Sequence, residues 1–190
     1  ETCLLRCLAP VYFRQKPVWL FGAWYGEWYC DSSRYLFEYV SKNHPEIYPL
    51  WITKKKTIKD SLKKDKLNCA LSGSIEKKAA FIKTQAIFFA TGSRADLEIS
   101  TSHEKKRLCV NLSHGSVPIK NAYNSLKGKN KQYNIHMWPV TSELAKKLFM
   151  KAYSLGPEIF SIVGIPRNDA LFSKPTQDEL RAQVGVKEND

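Results

Sequence analysis

Val18-Trp19-Leu20-Phe21 is a continuous apolar run, and Asp31-Ser32-Ser33 then opens a stretch in which Tyr35, Leu36, Tyr39 and Val40 recur at helical spacing. His44-Pro45 stops that pattern, and residues 47–53 (Ile-Tyr-Pro-Leu-Trp-Ile-Thr) return to an apolar run, with Pro49 suited to an edge or to a strand's first residues. Short apolar runs without polar alternation fit strands buried on both faces. The amphipathic segment between them, with Ser or Asp to cap it, fits a crossover helix. This strand–helix–strand order predicts βαβ units and a mostly parallel sheet, an α/β fold.

The alternation continues along the chain. Ser74 caps an expected helix whose Ile75, Ala79 and Ile82 share one stripe; residues 86–91 form a compact apolar strand, and Gly92-Ser93 a turn. Further strands are expected over 108–112, 136–140 and 159–165, the last ended by Pro166, with a helix capped near Thr141 or Ser142 after the second of them. Residues 121–134 read as a Lys/Asn/Gly-rich loop, and Thr176-x-x-Glu179 as the capping box of a final helix that Gly185 terminates. The lysine-rich stretch 54–66 reads as a solvated helix face or loop, ahead of a binding surface. There is no internal repeat and no low-complexity tract.

With 190 residues, 43% hydrophobic and 25% charged, the chain has the composition of a globular protein and room for a sizeable core. Thirty basic against eighteen acidic residues give a net charge of +12. A field of that sign attracts polyanions: nucleic acid, anionic lipid headgroups or a phosphate polymer. It also fits a solubilising surface. No helix-turn-helix spacing, zinc-finger ligand pattern or RRM aromatic signature is present, so no nucleic-acid partner is expected. Five cysteines (Cys3, Cys7, Cys30, Cys69 and Cys109) include no Cys-x-x-Cys pair and read as reduced thiols of a cytosolic protein, with Cys69 and Cys109 in packing roles. No signal peptide and no apolar run of about 20 residues is found. Residues 3–21 mix Leu4, Leu5, Leu8, Val11, Tyr12 and Phe13 with Arg6, Arg14 and Lys16; they fit either a membrane-interfacial segment or an element packed into the core. Glu1 at the start and the stop at Asp190, where another strand is due, suggest a fragment.

The chemistry concentrates in Val110-Asn111-Leu112-Ser113-His114-Gly115. Ligands of open parallel sheets sit beyond the carboxyl ends of the strands. A histidine directly after such a strand stands on a rigid support, and its imidazole suits proton transfer near neutrality. Taken alone, a strand-end histidine is more often a turn hydrogen-bonding partner.

Four stretches, in order, resemble the CDP-glycerol:poly(glycerophosphate) glycerophosphotransferases of the teichoic acid primase and polymerase type. Residues 112–120 (Leu-Ser-His-Gly-Ser-Val-Pro-Ile-Lys) resemble that family's L-W-H-G-T-P-L-K, and Gly164-Ile165-Pro166-Arg167-Asn168-Asp169 its G-x-P-R-N-D. Residues 26–40, followed by 50–54, and Val140-Thr141-Ser142-Glu143 match two further family segments. Ser113 stands where the family has Trp, and one extra residue separates His114 from Lys120. The resemblance covers about Trp19 to Gly185.

It implies a Rossmann-like parallel sheet with flanking helices, the N-terminal half of a GT-B fold. The expected organisation is an N-terminal segment over 1–17, an acceptor-side domain over 18–170, and over 171–190 a linker and the start of a donor-binding domain. The implied reaction transfers glycerol phosphate from CDP-glycerol to a membrane-linked acceptor, a lipid-linked phosphate polymer or glycan, and releases CMP. By the same resemblance His114 is the general base. Gly115, Ser116, Lys120, Arg167, Asn168 and Asp169 are placed at substrate and phosphate, with Arg167-Asn168-Asp169 equally suited to a hinge turn. Donor binding falls mainly to the second half, so the chain alone is expected to be inactive. No cofactor is implied, and no Asp-x-Asp pair points to a metal. The expected location is the cytoplasmic face of a bacterial membrane, held peripherally to its anionic surface. Ser113 keeps open a related transferase with another polyol-phosphate or sugar donor, and the isolated half also fits a non-catalytic basic binding module.

Overall fold

A computed structural model describes residues 16–91, 94–97, 107–115, 135–172 and 181. Five strands, β1 (Val18–Phe21), β2 (Tyr48–Thr53), β3 (Cys69–Leu71), β4 (Thr84–Phe89) and β5 (Leu108–Asn111), form one sheet in the order β3-β2-β1-β4-β5. Every pairing in it is parallel. β6 (Trp138–Val140) and β7 (Phe160–Ile162) make a second parallel pair, which a bridge from Val110 to Met137 joins to the β5 edge. The helices are α1 (Asp31–Asn43), α2 (Lys56–Lys64), α3 (Ile75–Lys83) and α4 (Glu143–Tyr153). This is the Rossmann-like α/β fold expected from the sequence.

The period of two along each strand divides the core between the two sheet faces. Val18, Leu20, Leu50, Ile52, Ile87, Phe89 and Cys109 join Ala79 and Ala80 of α3 and Ala145 and Phe149 of α4 in one cluster. Phe21, Trp51, Phe88 and Val110 point the other way, into a second cluster with Phe37 and Val40 of α1 and Leu62 of α2. Burial on both faces explains why the strands read as unbroken apolar runs.

Two details differ from the sequence reading. β3 was not anticipated: Cys-Ala-Leu is too short to stand out and lacks the β-branched residues that mark strands. Ser74 does cap α3, accepting from the Lys77 N–H at 3.1 Å, but Ile75 is 72% exposed and the helix packs through Ala79 and Ala80. Of the two places open to Pro49, the structure takes the strand's start: it is the second residue of a strand paired on both sides, and its missing N–H is tolerated at that end. The lysine-rich stretch is α2, a surface helix anchored by buried Leu62. Cys69 and Cys109 are buried thiols, and burial pushes Cys69 up to about 12. The Gly92-Ser93 turn, the 121–134 loop and the Thr176–Glu179 capping box lie outside the described residues, as does nearly all of the N-terminal segment.

Phe37 is fully buried against Phe21 (ring centroids 5.4 Å) and Trp51 (5.7 Å), and it fastens α1 to the sheet. Phe37→Ala is expected to lower the unfolding free energy by about 3–5 kcal/mol in urea titration, whereas Leu144→Ala, at a side chain 65% exposed, changes it by less than about 0.5 kcal/mol.

Candidate active site at the sheet's switch point

From β1 the chain runs outward to β2 and β3, then returns to lay β4 and β5 on β1's other side. The connections leaving β1 and β4 therefore diverge and open a crevice beyond their carboxyl ends. Three loops meet there: Gly22 to Gly26 after β1, Ala90 and Thr91 after β4, and Ser113 to Gly115 after β5.

Asp96 binds the first two together. Its fully buried carboxylate accepts from the Tyr25 N–H (2.9 Å), the Ala90 N–H (3.0 Å), the Thr91 N–H (2.9 Å) and the Thr91 hydroxyl. A Cβ at residue 22 would stand 2.6 Å from the Asp96 carbonyl oxygen, so only glycine admits this close approach. Thr53 and Lys54 secure the far end of the β1 loop, the Thr53 hydroxyl and the Lys54 N–H both donating to the Gly26 carbonyl at 2.8 and 2.9 Å.

His114 is exposed on this crevice. Its Nδ1 lies 3.3 Å from the Ala90 carbonyl oxygen. A carbonyl only accepts, so the contact is favourable when Nδ1 carries the proton, and the ring then presents Nε2 as its proton acceptor. The Trp24 ring meets the imidazole edge-on with centroids 5.6 Å apart. Behind the histidine, Asn111 Oδ1 accepts from the Ser113 N–H (3.0 Å), and the Ser113 hydroxyl donates to the Gly115 carbonyl (2.8 Å). Ser113 has φ 58, a left-handed backbone that turns the chain sharply after β5.

The structure brings Arg167 to His114. Its Nη1 donates to the His114 carbonyl oxygen at 2.7 Å and to Asp31 Oδ1 at 3.2 Å. Asn168 and Asp169 share with it the 3-10 segment Pro166–Leu171, packed along α1. Asn168 lines a shallow depression of about 420 Å³ with Cys30, Asp31, Tyr35 and Arg167. Asp169 instead borders an apolar groove of about 390 Å³ floored by Trp19, Phe88, Val110 and Met137. Gly115 sits beside His114; Ser116 and Lys120 lie outside the described residues. Among the described residues no three His, Cys, Asp or Glu side chains are grouped to hold a metal. Cys30 offers no ready nucleophile: burial, then the Asp31 carboxylate, pushes its thiol up, which keeps it protonated. Sequence reasoning placed Asp31 at a helix start within the family-like segment 26–40 but gave it no part in the site, and passed over Trp24 and Asp96, which lie in no recognisable motif.

The family model for CDP-Glycerol:Poly(glycerophosphate) glycerophosphotransferase matches residues 4–190. The chain belongs to this family. No curated protein sequence matches it. Among solved structures, the wall teichoic acid polymerase TagF is similar at 17% identity and a TM-score of 0.66, over 98% of this chain and 49% of TagF, in its H548A form. The H444N form soaked with CDPG for 30 minutes gives 17% identity and a TM-score of 0.67, over 99% of this chain and 51% of that one. The likeness concerns the fold, and this glycerophosphotransferase-family chain spans about half the length of TagF.

Removing the Asp96 carboxylate leaves three backbone N–H groups without their acceptor. Asp96→Ala is expected to cost about 3 kcal/mol or more of unfolding free energy, with amide exchange accelerated first at Tyr25, Ala90 and Thr91.

Proposed function

We propose that this chain is the acceptor-side half, with its domain over residues 18–170, of a GT-B glycerophosphotransferase of teichoic acid or related polymer synthesis. In this reading an acceptor hydroxyl enters the crevice beyond β1, β4 and β5. His114 Nε2 takes its proton as the oxygen attacks the donor phosphorus nearest the glycerol. The new O–P bond forms, the bond from that phosphorus to the CMP oxygen breaks, and CMP leaves. The observation that carries the reading is His114 itself, exposed beside the switch point with Nδ1 directed at the Ala90 carbonyl.

Lys120 and Arg167 are the cations assigned to phosphate, beside Gly115, Ser116 and Asn168. Arg167 commits Nη1 to protein oxygens, and the donors on its other two nitrogens suit phosphate oxygens. Asp169 flanks them at the same turn. The donor CDP-glycerol belongs mainly to the other half of the active enzyme. A lipid-linked acceptor would bring the protein to the cytoplasmic face of the membrane. The net charge of +12 supports capture of both the polyanionic chain and anionic headgroups. No helix among the described residues is long and apolar enough to cross a bilayer.

The test is CMP release from CDP-glycerol with a lipid-linked acceptor, by the complete native protein that carries this chain. Release is expected to fall by about 10²-fold or more in His114→Ala, the scale of a lost general base; release that survives the substitution removes His114 from the mechanism. Release from a different CDP-linked donor only would reassign the substrate. For the membrane, vesicles containing about 30% anionic lipid are expected to co-sediment the chain at low salt and lose it near 0.5 M salt. Binding indifferent to lipid charge and salt would refute that attachment.

A further inference from the structure

We propose that Asp31 and Arg167 are positioning residues for His114, holding both its backbone and its ring through a single carboxylate; the role rests on the base assignment above. Arg167 reaches back 53 residues in sequence to the His114 carbonyl and 136 to Asp31. The Asp31 side chain is only 7% exposed. Its Oδ1 takes the Arg167 guanidinium at 3.2 Å and the Ser32 N–H at 2.9 Å, and its Oδ2 takes the Trp24 indole N–H at 3.2 Å. Trp24 in turn stands edge-on to the imidazole.

The contacts therefore close a circuit. From the His114 carbonyl it runs through Arg167 to Asp31, through Trp24, and back to the His114 ring. The imidazole is exposed and its ring bond to Ala90 is long, so among the described residues little else limits its rotation. The arginine bonds are charge-assisted and directional, the kind that fixes an orientation. Two members of the circuit, Trp24 (φ 47) and Asp31 (φ 65), hold left-handed backbone, which a bulky tryptophan resists and an aspartate tolerates better. Such strain persists where surrounding contacts over-determine it, and here those contacts are the circuit itself.

Asp31→Asn, which keeps the shape and removes the charge, Arg167→Ala and Arg167→Lys test the idea by two independent readouts. The first is the imidazole NMR signal of His114 in the 190-residue chain, with His44 as internal reference. Asp31→Asn and Arg167→Ala are expected to displace the His114 signals while the His44 signals stay in place. The second is CMP release by the complete native protein. There kcat is expected to fall by about 10²-fold in Asp31→Asn with the acceptor KM within about twofold, and Arg167→Lys to recover part of the kcat lost in Arg167→Ala. Unchanged His114 signals in both variants would overturn the proposal. So would unchanged kcat in Asp31→Asn and Arg167→Ala, which would leave Arg167 a substrate contact alone. If the unaltered protein releases no CMP, the base assignment fails, yet the NMR arm still decides whether the circuit holds the histidine.

Discussion

The Asp96 carboxylate is the contact on which the crevice depends. Where β1 and β4 end side by side, their connections lead to opposite ends of the strand order, and the N–H groups of Tyr25, Ala90 and Thr91 need an acceptor beyond the ladder. A buried carboxylate is costly unless its oxygens are filled, and here four donors fill them, from the Tyr25, Ala90 and Thr91 backbone and the Thr91 hydroxyl. The consequence reaches the histidine. With its N–H held by Asp96, Ala90 is fixed at the end of β4, and its carbonyl meets His114 Nδ1. One acidic residue thus orders the β1 and β4 loops and, through Ala90, favours one tautomer of the proposed base.

The parts of the fold legible in the sequence were those set by periodicity. β1, α1 and β2 announce themselves as apolar run, amphipathic run and apolar run, because a parallel strand buried on both faces has no reason to alternate. Ser74 and Ser142 mark helix starts, and each does accept from the backbone N–H three residues on. β3 escaped because its three residues are held by pairing with β2 and by packing, with no propensity of their own to signal it. Ile75 misled because a stripe of three residues at helical spacing does not say which face is covered. The neighbouring Ala79 and Ala80 let α3 approach the sheet, and the larger side chain turned out to solvent.

The candidate site divides the same way. His114, Gly115 and Arg167 sit in short motifs and were found in the sequence, yet their meeting was not, since 53 residues separate Arg167 from the His114 carbonyl it binds. Asp31-Ser32-Ser33 looked like a helix cap, but the cap position falls on Cys30 without a side-chain cap bond, and of the N–H groups at the start of α1 the Asp31 Oδ1 accepts that of the adjacent Ser32. Only the folded chain shows that the same carboxylate also gathers an arginine from the far end of the domain and an indole from the β1 loop. Local spacing encodes local partners; contacts between sequence-distant loops are set by strand order.

Backbone strain follows the same geography. Six described non-glycine residues have positive φ, and four of them, Trp24, Tyr25, Asp31 and Ser113, surround the crevice. Left-handed backbone costs roughly 1–2 kcal/mol at each such residue, and a chain under no other demand would place glycine there. At two of these positions the side chain makes bonds that glycine could not: the Trp24 indole donates to Asp31, and Asp31 accepts from Arg167. Lysine at position 167 would keep the charge but not the planar guanidinium, in which both hydrogens of one nitrogen can reach two acceptors while other donors face elsewhere. A crevice whose loops are strained individually and tied mutually resists the relaxation that any single loop would undergo. That is the condition an exposed imidazole needs if it is to keep one orientation before a substrate arrives.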